Sequence, residues 1–236
     1  MSKIIHLLSS PRTISTAIMY AFAQHRSVQV LDEPFYGIYL QNHGHNHPGR
    51  NEIRRRMPTT IVEVQERIIN LAADGHVFIK NMASHCSALG LSFPADYQHI
   101  FLIRNPAQII LSFDKVVDNP THEDIGIKAQ YKLFTQYHSA KNLPLVLEST
   151  RVAAAPKEQL EKLCNKLSID FEETMLSWPK GPKAYDGIWS KYWYKAVHST
   201  TRFLSRPEVD ITLPKNLRKI HEEAQFYYQQ LLAHTL

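Results

Sequence analysis

Apolar residues along the chain follow two patterns: short uninterrupted runs, and longer stretches that repeat every three to four positions. The short runs are rich in β-branched residues and predict buried strands. The longer stretches predict amphipathic helices, of which residues 59–73 show the clearest period, with Glu63 and Arg67 on the polar side. We expect five strands, beginning near Ile4, Val28, Val77, His99 and Leu145. Because strands alternate with helices, the chain is predicted to be an α/β protein with a central, mostly parallel sheet flanked by helices.

The first predicted strand leads directly into a polar loop and then a helix. The apolar run ends at Ser9-Ser10-Pro11-Arg12, and apolar residues then recur every four positions, at Ile14, Ile18 and Phe22. A strand that enters a helix N-terminus directs backbone N–H groups and the positive end of the helix dipole to one point, which suits a phosphate or sulfate. Arg12 adds a fixed cation there, and hydroxyl donors follow at Thr13, Ser15 and Thr16. The stretch therefore predicts an oxyanion site.

One other interpretation of this loop stays open at this point, and another is disfavoured. Ser and Thr favour helix N-caps whatever the function, so the stretch also fits an ordinary first βα unit. It is not a Walker A loop, because the G-x-x-x-x-G-K-[ST] pattern is missing and Arg12 stands near the position of the lysine. An ordinary ATP or GTP hydrolase is therefore disfavoured.

Charged residues also follow the next two strands, where open α/β sheets bind their ligands. The second strand closes at Asp32-Glu33, so a carboxylate there is a candidate catalytic group, although either residue can instead cap the following turn. The third strand ends in Lys80, which can reach into the crevice, and His85 follows five residues later. Lysines after strands are also common on ordinary surfaces.

The fourth strand ends in Arg104, and Pro106 then fits the first turn of a helix, where its missing N–H costs little. Ser112 lies about two turns further along that helix. An arginine at a strand end and a hydroxyl on the following helix predict a second anion site.

Between residues 37 and 58 the periodic pattern disappears, and the run is too long for a simple connection. Histidines alternate within it, at His43, His45 and His47. A metal site is one interpretation, but alternation on a loop gives no fixed geometry, and neither a carboxylate nor a cysteine completes the set. We therefore favour a lid or substrate loop and expect no metal.

Composition narrows the class of protein. The net charge of +5 and the pI of about 9.1 fit an anionic small molecule, and the absence of a long Lys/Arg run disfavours nucleic acid. Cys86 and Cys164 are the only cysteines, so a disulfide framework is not expected. The sequence shows neither a signal peptide pattern nor an apolar run of the roughly 18 residues that a membrane span needs. We expect a soluble cytoplasmic protein that binds neither membrane nor nucleic acid.

Taken together, these segments resemble the sulfotransferases that use 3′-phosphoadenosine 5′-phosphosulfate (PAPS), whose sheet is like that of the P-loop kinases. The segment 10–16, Ser-Pro-Arg-Thr-Ile-Ser-Thr, is similar to the family's 5′-phosphosulfate loop, with arginine in place of the lysine of the cytosolic enzymes. Arg104 and Ser112 match the family's second signature, in which an arginine and a serine eight residues later hold the donor's 3′-phosphate. The implied fold is a P-loop-like three-layer sandwich.

The resemblance also implies roles for individual residues. Arg12 and Lys80 would stabilise charge on the bridging and sulfuryl oxygens, and Glu33 would take the acceptor's proton, with His85 as the second candidate base. The 5′-phosphosulfate would be held by Thr13, Ile14, Ser15 and Thr16. Lys180 and Lys183 are a weaker match to the family's C-terminal basic loop and would contact the donor. PAPS is then a co-substrate, no metal is required, and the acceptor is a small molecule or carbohydrate.

We expect one domain over residues 1–236, with a lid at about 37–58 and a C-terminal cap at about 178–236. Sulfuryl transfer depends mainly on positioning and on stabilising charge, which arginine, lysine, hydroxyl and backbone N–H groups supply. One alternative is a P-loop-like small-molecule kinase, which would need a Walker lysine and a magnesium-binding acid, for which Asp32 is the only candidate. The other is a catalytically silent nucleotide-binding protein. The sequence does not identify the acceptor or the oligomeric state.

Overall fold

Five strands form one parallel sheet in the computed structural model, which describes residues 2–43, 48–114, 120–139, 143–205 and 211–236. The strands are β1 Ile4–Ser9, β2 Val28–Asp32, β3 His76–Met82, β4 Gln98–Ile103 and β5 Leu145–Glu148. They lie in the order β2-β3-β1-β4-β5. The α/β class and the five strands predicted from the sequence are confirmed.

Helices connect the strands and cover both faces of the sheet. They are α1 Ser15–Ala23, α2 Tyr36–His43, α3 Arg50–Arg56, α4 Ile61–Asp74, α5 Ala83–Ala88, α6 Pro106–Phe113, α7 His122–Ile125, α8 Ile127–Tyr137, α9 Ser149–Ala154, α10 Pro156–Leu167, α11 Ser190–Trp193, α12 Lys195–His198 and α13 Arg218–Leu232. Short 3₁₀ turns occur at Glu173–Leu176 and Lys215–Leu217.

Alternate residues of the central strands face two separate cores, as expected for a sheet covered on both sides. On β4, Phe101 and Ile103 pack with α4, α8 and α13, whereas Ile100 and Leu102 pack with α1 and α10. This arrangement confirms the predicted three layers, in which helices lie above and below a central sheet.

The strand order creates a crevice between the carboxyl ends of β1 and β4. After β1 the chain moves toward β2 and β3 on one side, whereas after β4 it moves toward β5 on the other. The two connections diverge at this point, and such divergence is where open α/β sheets bind ligands. Both anion-binding segments predicted from the sequence begin here.

The expected loop at 37–58 instead contains two helices, α2 and α3, so the prediction of an irregular loop is wrong. They form because Tyr36, Leu40 and Ile53 are buried against Trp189 and Tyr194, far along the chain. We call α2, α3 and residues 187–198 the cover. The predicted positions His45 and His47 lie outside the described residues, whereas His43 stacks on Tyr39.

Three further observations concern the cysteines, metal binding and membrane-spanning helices. Cys86 and Cys164 are both buried, and neither is in a disulfide. Across the described segments, no group of three His, Cys, Asp or Glu side chains is arranged to hold a metal ion. No helix within those same segments combines the length and apolar character required to cross a bilayer.

Candidate active site

The loop between β1 and α1 presents an open helix N-terminus at the crevice. Among the described residues, no side chain caps the first turn of α1, and that turn contains no acidic residue. By contrast, α4 has a capping box between Thr60 and Glu63. The loop is closed by the Thr13 hydroxyl, which donates to the Ser10 carbonyl at 2.7 Å. The N–H groups at the start of α1 are thus left for an anion.

This loop and the end of β2 carry unusual backbone conformations. Arg12 and Ile14 have positive φ angles of 62° and 59°, and Glu33 has a φ of 41°. A β-branched residue such as Ile14 is rarely found in the left-handed region, and such residues cost of order 1–3 kcal/mol each. Strain of this kind is concentrated at functional sites, so three residues predicted from the sequence coincide with a structural signal independent of their chemistry.

The two predicted anion-binding segments meet at one edge of the sheet. Arg104 Nη1 donates to the Arg12 carbonyl at 2.5 Å, and Arg12 Nε donates to Ser112 Oγ at 2.8 Å. The Arg104 side chain is also fixed by Gln108, whose Oε1 lies 2.7 Å from its Nε. Asn105 caps α6 by accepting from the Ala107 N–H, which sets the direction of the helix that carries Ser112.

A buried glutamine on α8 joins the strands from which both segments emerge. Gln130 Nε2 donates to the carbonyls of Leu8 on β1 and Leu102 on β4, and its Oε1 accepts from Ser10 Oγ at 2.8 Å. Gln130 was not predicted as a site residue. A signal was available, because Gln130 occupies an apolar position of its helix, three residues after Ile127 and four before Phe134.

A second group of predicted residues forms a buried ionic cluster at the ends of β2 and β3. The Lys80 ammonium donates to Asp32 Oδ1 at 2.9 Å, to Glu33 Oε1 at 2.7 Å and to the Tyr194 hydroxyl at 2.8 Å. The Lys80 side chain is 0% exposed. Tyr194 also contacts Asp32, and the Gly187 N–H donates to Asp32 Oδ2, so the cluster anchors residues 187–194 of the cover.

Charge interactions inside this cluster decide its protonation. Burial alone would raise the pKa of Glu33, but the Lys80 ammonium and His85 outweigh it and lower that pKa to about 2. Burial would likewise lower the pKa of Lys80, yet the two carboxylates hold it well above its usual value. Burial raises the pKa of Asp32 against the opposing effect of Lys80. Glu33 is therefore an ionised carboxylate paired with an ionised lysine.

His85, in the first turn of α5, lies beside this cluster. Its Nδ1 is 3.3 Å from Glu33 Oε2, the oxygen that Lys80 does not contact. The imidazole ring stacks on both Tyr36 and Tyr39, with ring centroids 4.8 Å and 4.1 Å away. The His85 side chain is 21% exposed, whereas the side chain of Glu33 is 6% exposed.

The ionic cluster and the anion-binding segments occupy neighbouring strand ends. Ser9 Oγ at the end of β1 donates to the Asn81 carbonyl on β3. Gly126 fits between the two groups, because a Cβ there would lie 3.4 Å from Ser10 Oγ and 3.7 Å from Ser84 Oγ, and its φ is +74°. The anion-binding segments and the ionic cluster with His85 therefore lie along a single edge of the sheet. The residues concerned are 10–16, Arg104, Ser112, Glu33, Lys80 and His85.

The two predicted C-terminal lysines lie apart from the ionic cluster and from the contacts between Arg12, Arg104 and Ser112. Lys183 packs its ammonium over the ring of Tyr20 on α1, 4.9 Å from the centroid, and contacts the Gly181 carbonyl. Lys180 is exposed. The segment is held to α1 by Asp186, which accepts from the Tyr20 hydroxyl at 2.6 Å and contacts His198 Nε2 at 2.9 Å. The structure thus associates Lys183 with α1, the helix that begins at the predicted phosphosulfate loop.

Comparison with known proteins identifies the family. The sequence model for the sulfotransferase domain matches residues 2–233. The chain belongs to the sulfotransferase domain family. Its fold agrees with solved sulfotransferases, including the sulfotransferase domain from the Synechococcus PCC 7002 olefin synthase, with a TM-score of 0.58, 18% identity and 94% of each chain covered. The sulfotransferase domain from the curacin biosynthetic pathway gives a TM-score of 0.58 at 14% identity, covering 95% of this chain and 98% of that one.

Two curated relatives are more similar in sequence than these structures. Branched-chain-amino-acid aminotransferase-like protein 2 of Arabidopsis thaliana is 31% identical over 98% of this chain, and protein 1 of the same name is 30% identical over 99%. The sulfotransferase-family chain spans only 42% of the length of each relative. The similarity therefore concerns one part of those longer proteins.

Proposed function

We propose that this chain transfers a sulfuryl group from PAPS to a hydroxyl or amine of a small-molecule or sugar acceptor. The observation that carries the proposal is the meeting of two cationic segments at one crevice, where Arg104 contacts the Arg12 carbonyl and Arg12 contacts Ser112. A donor with one phosphate group at the 5′ position and another at the 3′ position needs two such segments close together. A nucleotide with a single phosphate chain does not.

The roles that we propose follow from these positions. The 5′-phosphosulfate would lie against the N-terminus of α1, where Thr13, Ile14, Ser15 and Thr16 supply backbone N–H groups and hydroxyls. Arg12 would stabilise charge on the bridging oxygen between phosphate and sulfate. Arg104 and Ser112 would hold the 3′-phosphate, with Ser112 exchanging its contact with Arg12 for the phosphate. Lys183, and Lys180 beside it, would approach the donor only from the side of α1.

The acceptor would enter on the other side, under the cover. Glu33, His85, Tyr36 and Tyr39 lie there, with Trp189 packed edge-on against Tyr36. We propose that residues 1–236 act as one unit in which the cover encloses the acceptor. The aromatic side chains suit sugars, phenols and alcohols alike.

A kinase mechanism is less well supported by the same residues. Asp32 is the acid that a magnesium ion would require, but its oxygens already accept from Lys80, Tyr194 and Gly187. The lysine that would cradle the phosphates of ATP is replaced by Arg12. Lys80, on the neighbouring strand β3, is buried in the ionic cluster.

Calorimetric titration with three nucleotides tests the proposal. Adenosine 3′,5′-bisphosphate should bind more tightly than adenosine 5′-monophosphate or ATP with magnesium. The Arg104→Met and Ser112→Ala variants should reduce the preference for the bisphosphate over the monophosphate by roughly ten- to hundredfold, since each removes a hydrogen bond to a charged group. Arg12→Met should weaken the binding of both the bisphosphate and the monophosphate.

The exposed α3 residue Arg55 provides a matched control, because Arg55→Met removes the same charge from a position outside the two anion-binding segments. A preference for ATP with magnesium would instead support the kinase. Equal affinity for the monophosphate and bisphosphate would contradict the two-segment account. Tight bisphosphate binding without release of a radiolabelled sulfuryl group to any acceptor in a hydroxyl and amine panel would indicate a catalytically silent protein.

A further inference from the structure

The hydrogen bonds of Lys80 leave it no donor for a substrate. A lysine ammonium has three N–H groups. Those of Lys80 are directed to Asp32, Glu33 and Tyr194, at 2.7 to 2.9 Å, and the side chain is fully buried. To reach a sulfuryl oxygen, Lys80 would have to abandon one of these partners and leave a buried charged or polar group unpaired. Its position therefore suits fixing the cluster.

The two carboxylate oxygens of Glu33 face different partners. Oε1 accepts from Lys80, and Oε2 faces Nδ1 of His85. A carboxylate that is fixed by a buried ammonium on one side and faces an imidazole on the other has the geometry of the acid that orients a catalytic histidine. Lys80, Glu33 and His85 thus form a row that runs from the core toward the accessible edge.

His85 is the member of the row that a substrate can reach. Its side chain is the most exposed of the three, and its ring stacks on the rings of Tyr36 and Tyr39. Imidazole is also the side chain whose ordinary pKa makes it a base near neutral pH. Among the described residues, His85 contacts three titratable groups, Glu33 just after β2 and Tyr36 and Tyr39 on α2. Burial raises the pKa of Tyr39 to about 12 and that of Tyr36 further.

We propose that His85 is the general base of the reaction and that Glu33 is a positioning residue, held by Lys80. The inference rests on the proposed sulfuryl transfer, and it revises the roles that the family resemblance implies for Glu33 and Lys80. On this assignment the proton is carried by Nδ1, which lies 3.3 Å from Glu33 Oε2, and Nε2 is the basic nitrogen.

The proton balance of the step is simple. As the acceptor oxygen forms its bond to sulfur, Nε2 of His85 takes the acceptor's proton. The bond between sulfur and the bridging oxygen breaks, and its electron pair leaves with the 5′-phosphate of the bisphosphate product. The imidazolium, stabilised by Glu33, then releases its proton to water. Nothing is oxidised or reduced.

The tautomer of His85 tests this assignment without any acceptor. Nitrogen-15 NMR of the intact protein, with the His85 signals assigned by their loss in His85→Gln, should show the proton on Nδ1. In Glu33→Gln, Lys80 can only donate, so it takes the oxygen of the introduced amide, whose NH₂ group then faces His85. Nδ1 must accept, and the proton should move to Nε2. Asp32→Asn alters the same cluster without touching His85 and should leave the proton on Nδ1.

Turnover provides the second readout, measured by release of a radiolabelled sulfuryl group from PAPS to a panel of phenols and alcohols. His85→Gln and Glu33→Gln should each lower turnover by roughly 10²- to 10⁴-fold, while bisphosphate affinity stays within about twofold. The inference is overturned if the proton of wild-type His85 is on Nε2, if Glu33→Gln leaves the tautomer unchanged, or if His85→Gln retains turnover that Glu33→Gln loses. Absence of turnover in the wild type would refute the proposed function, whereas the tautomer would still decide the pairing of Glu33 with His85.

Discussion

Two buried histidines show how individual residues respond to the interior of this fold. His99 on β4 stacks on Tyr137 with ring centroids 4.0 Å apart. The ring centroid of His6 on β1 lies 5.4 Å from that of His99. Burial lowers the pKa of His99 to about 4, and burial together with His99 lowers that of His6 well below its usual value. Both imidazoles are therefore neutral in the folded protein near pH 7.

Acid should destabilise the protein in a defined pH range for this reason. The pKa of His99 is 6.5 in the unfolded chain and about 4 in the folded protein, so the unfolded state binds a proton at a higher pH. The free energy of unfolding is therefore highest above pH 6.5 and falls as the pH drops from 6.5 to 4. The shift of His99 corresponds to roughly 3 kcal/mol. Urea unfolding at a series of pH values should show this loss, and His99→Phe, which can keep the stack on Tyr137, should show less of it.

The exposed His43 supplies the control for that series, because His43→Phe should retain the wild-type pH profile. If His99→Phe and the wild type lose stability in parallel between pH 6.5 and 4, the buried histidine is not the cause.

The sequence could suggest where a residue lies when its neighbours in the chain carry the signal. Arg12 and Arg104 follow apolar runs, and the structure does bring them to one edge. Tyr194 had no such signal, because its partner Lys80 lies 114 residues away. The saturation of Lys80 by three partners is likewise a property of the folded chain, so its burial could not be anticipated.

At the scale of elements, the start of α1 differs from that of α4. The first turn of α4 is capped by its own side chains, whereas in the described residues α1 has no side-chain cap. If Ser15 and Thr16 served only to stabilise the helix, a better cap would be harmless. If the turn binds an anion, a negative charge there should interfere.

The Thr16→Asp variant separates these possibilities. An acidic side chain in the first turn should leave the free energy of unfolding unchanged or raise it by about 0.3–1 kcal/mol, through the helix dipole. It should nevertheless weaken bisphosphate binding at least tenfold by repelling the 5′-phosphate. Thr16→Asn is the uncharged control and should bind much closer to wild type. Unchanged affinity in Thr16→Asp would show that the nucleotide does not use this turn.

Elements themselves were predictable when their pattern was local. All five strands and the helices α1, α4, α6, α10 and α13 follow their apolar periodicity. The helices α2 and α3 do not, because the residues that bury them, Trp189 and Tyr194, belong to a distant segment. A region without its own periodic pattern therefore became helical through tertiary packing.

At the scale of the whole molecule, the strand order determines what the site can bind. The sequence indicates which strands end in functional residues, but the order β2-β3-β1-β4-β5 arises only on folding. That order places β1 beside β4, and so Arg12 beside Arg104. It also places β3 between β1 and β2, which positions Lys80 and His85 next to the loop between β1 and α1.

A crystal structure with adenosine 3′,5′-bisphosphate tests this central claim most directly. The account predicts the 5′-phosphate at the N–H groups of Ser15 and Thr16, and the 3′-phosphate at Arg104 and Ser112, in one crevice between β1 and β4. It would be contradicted by a nucleotide whose phosphates contact neither Arg12 and the start of α1 nor Arg104 and Ser112.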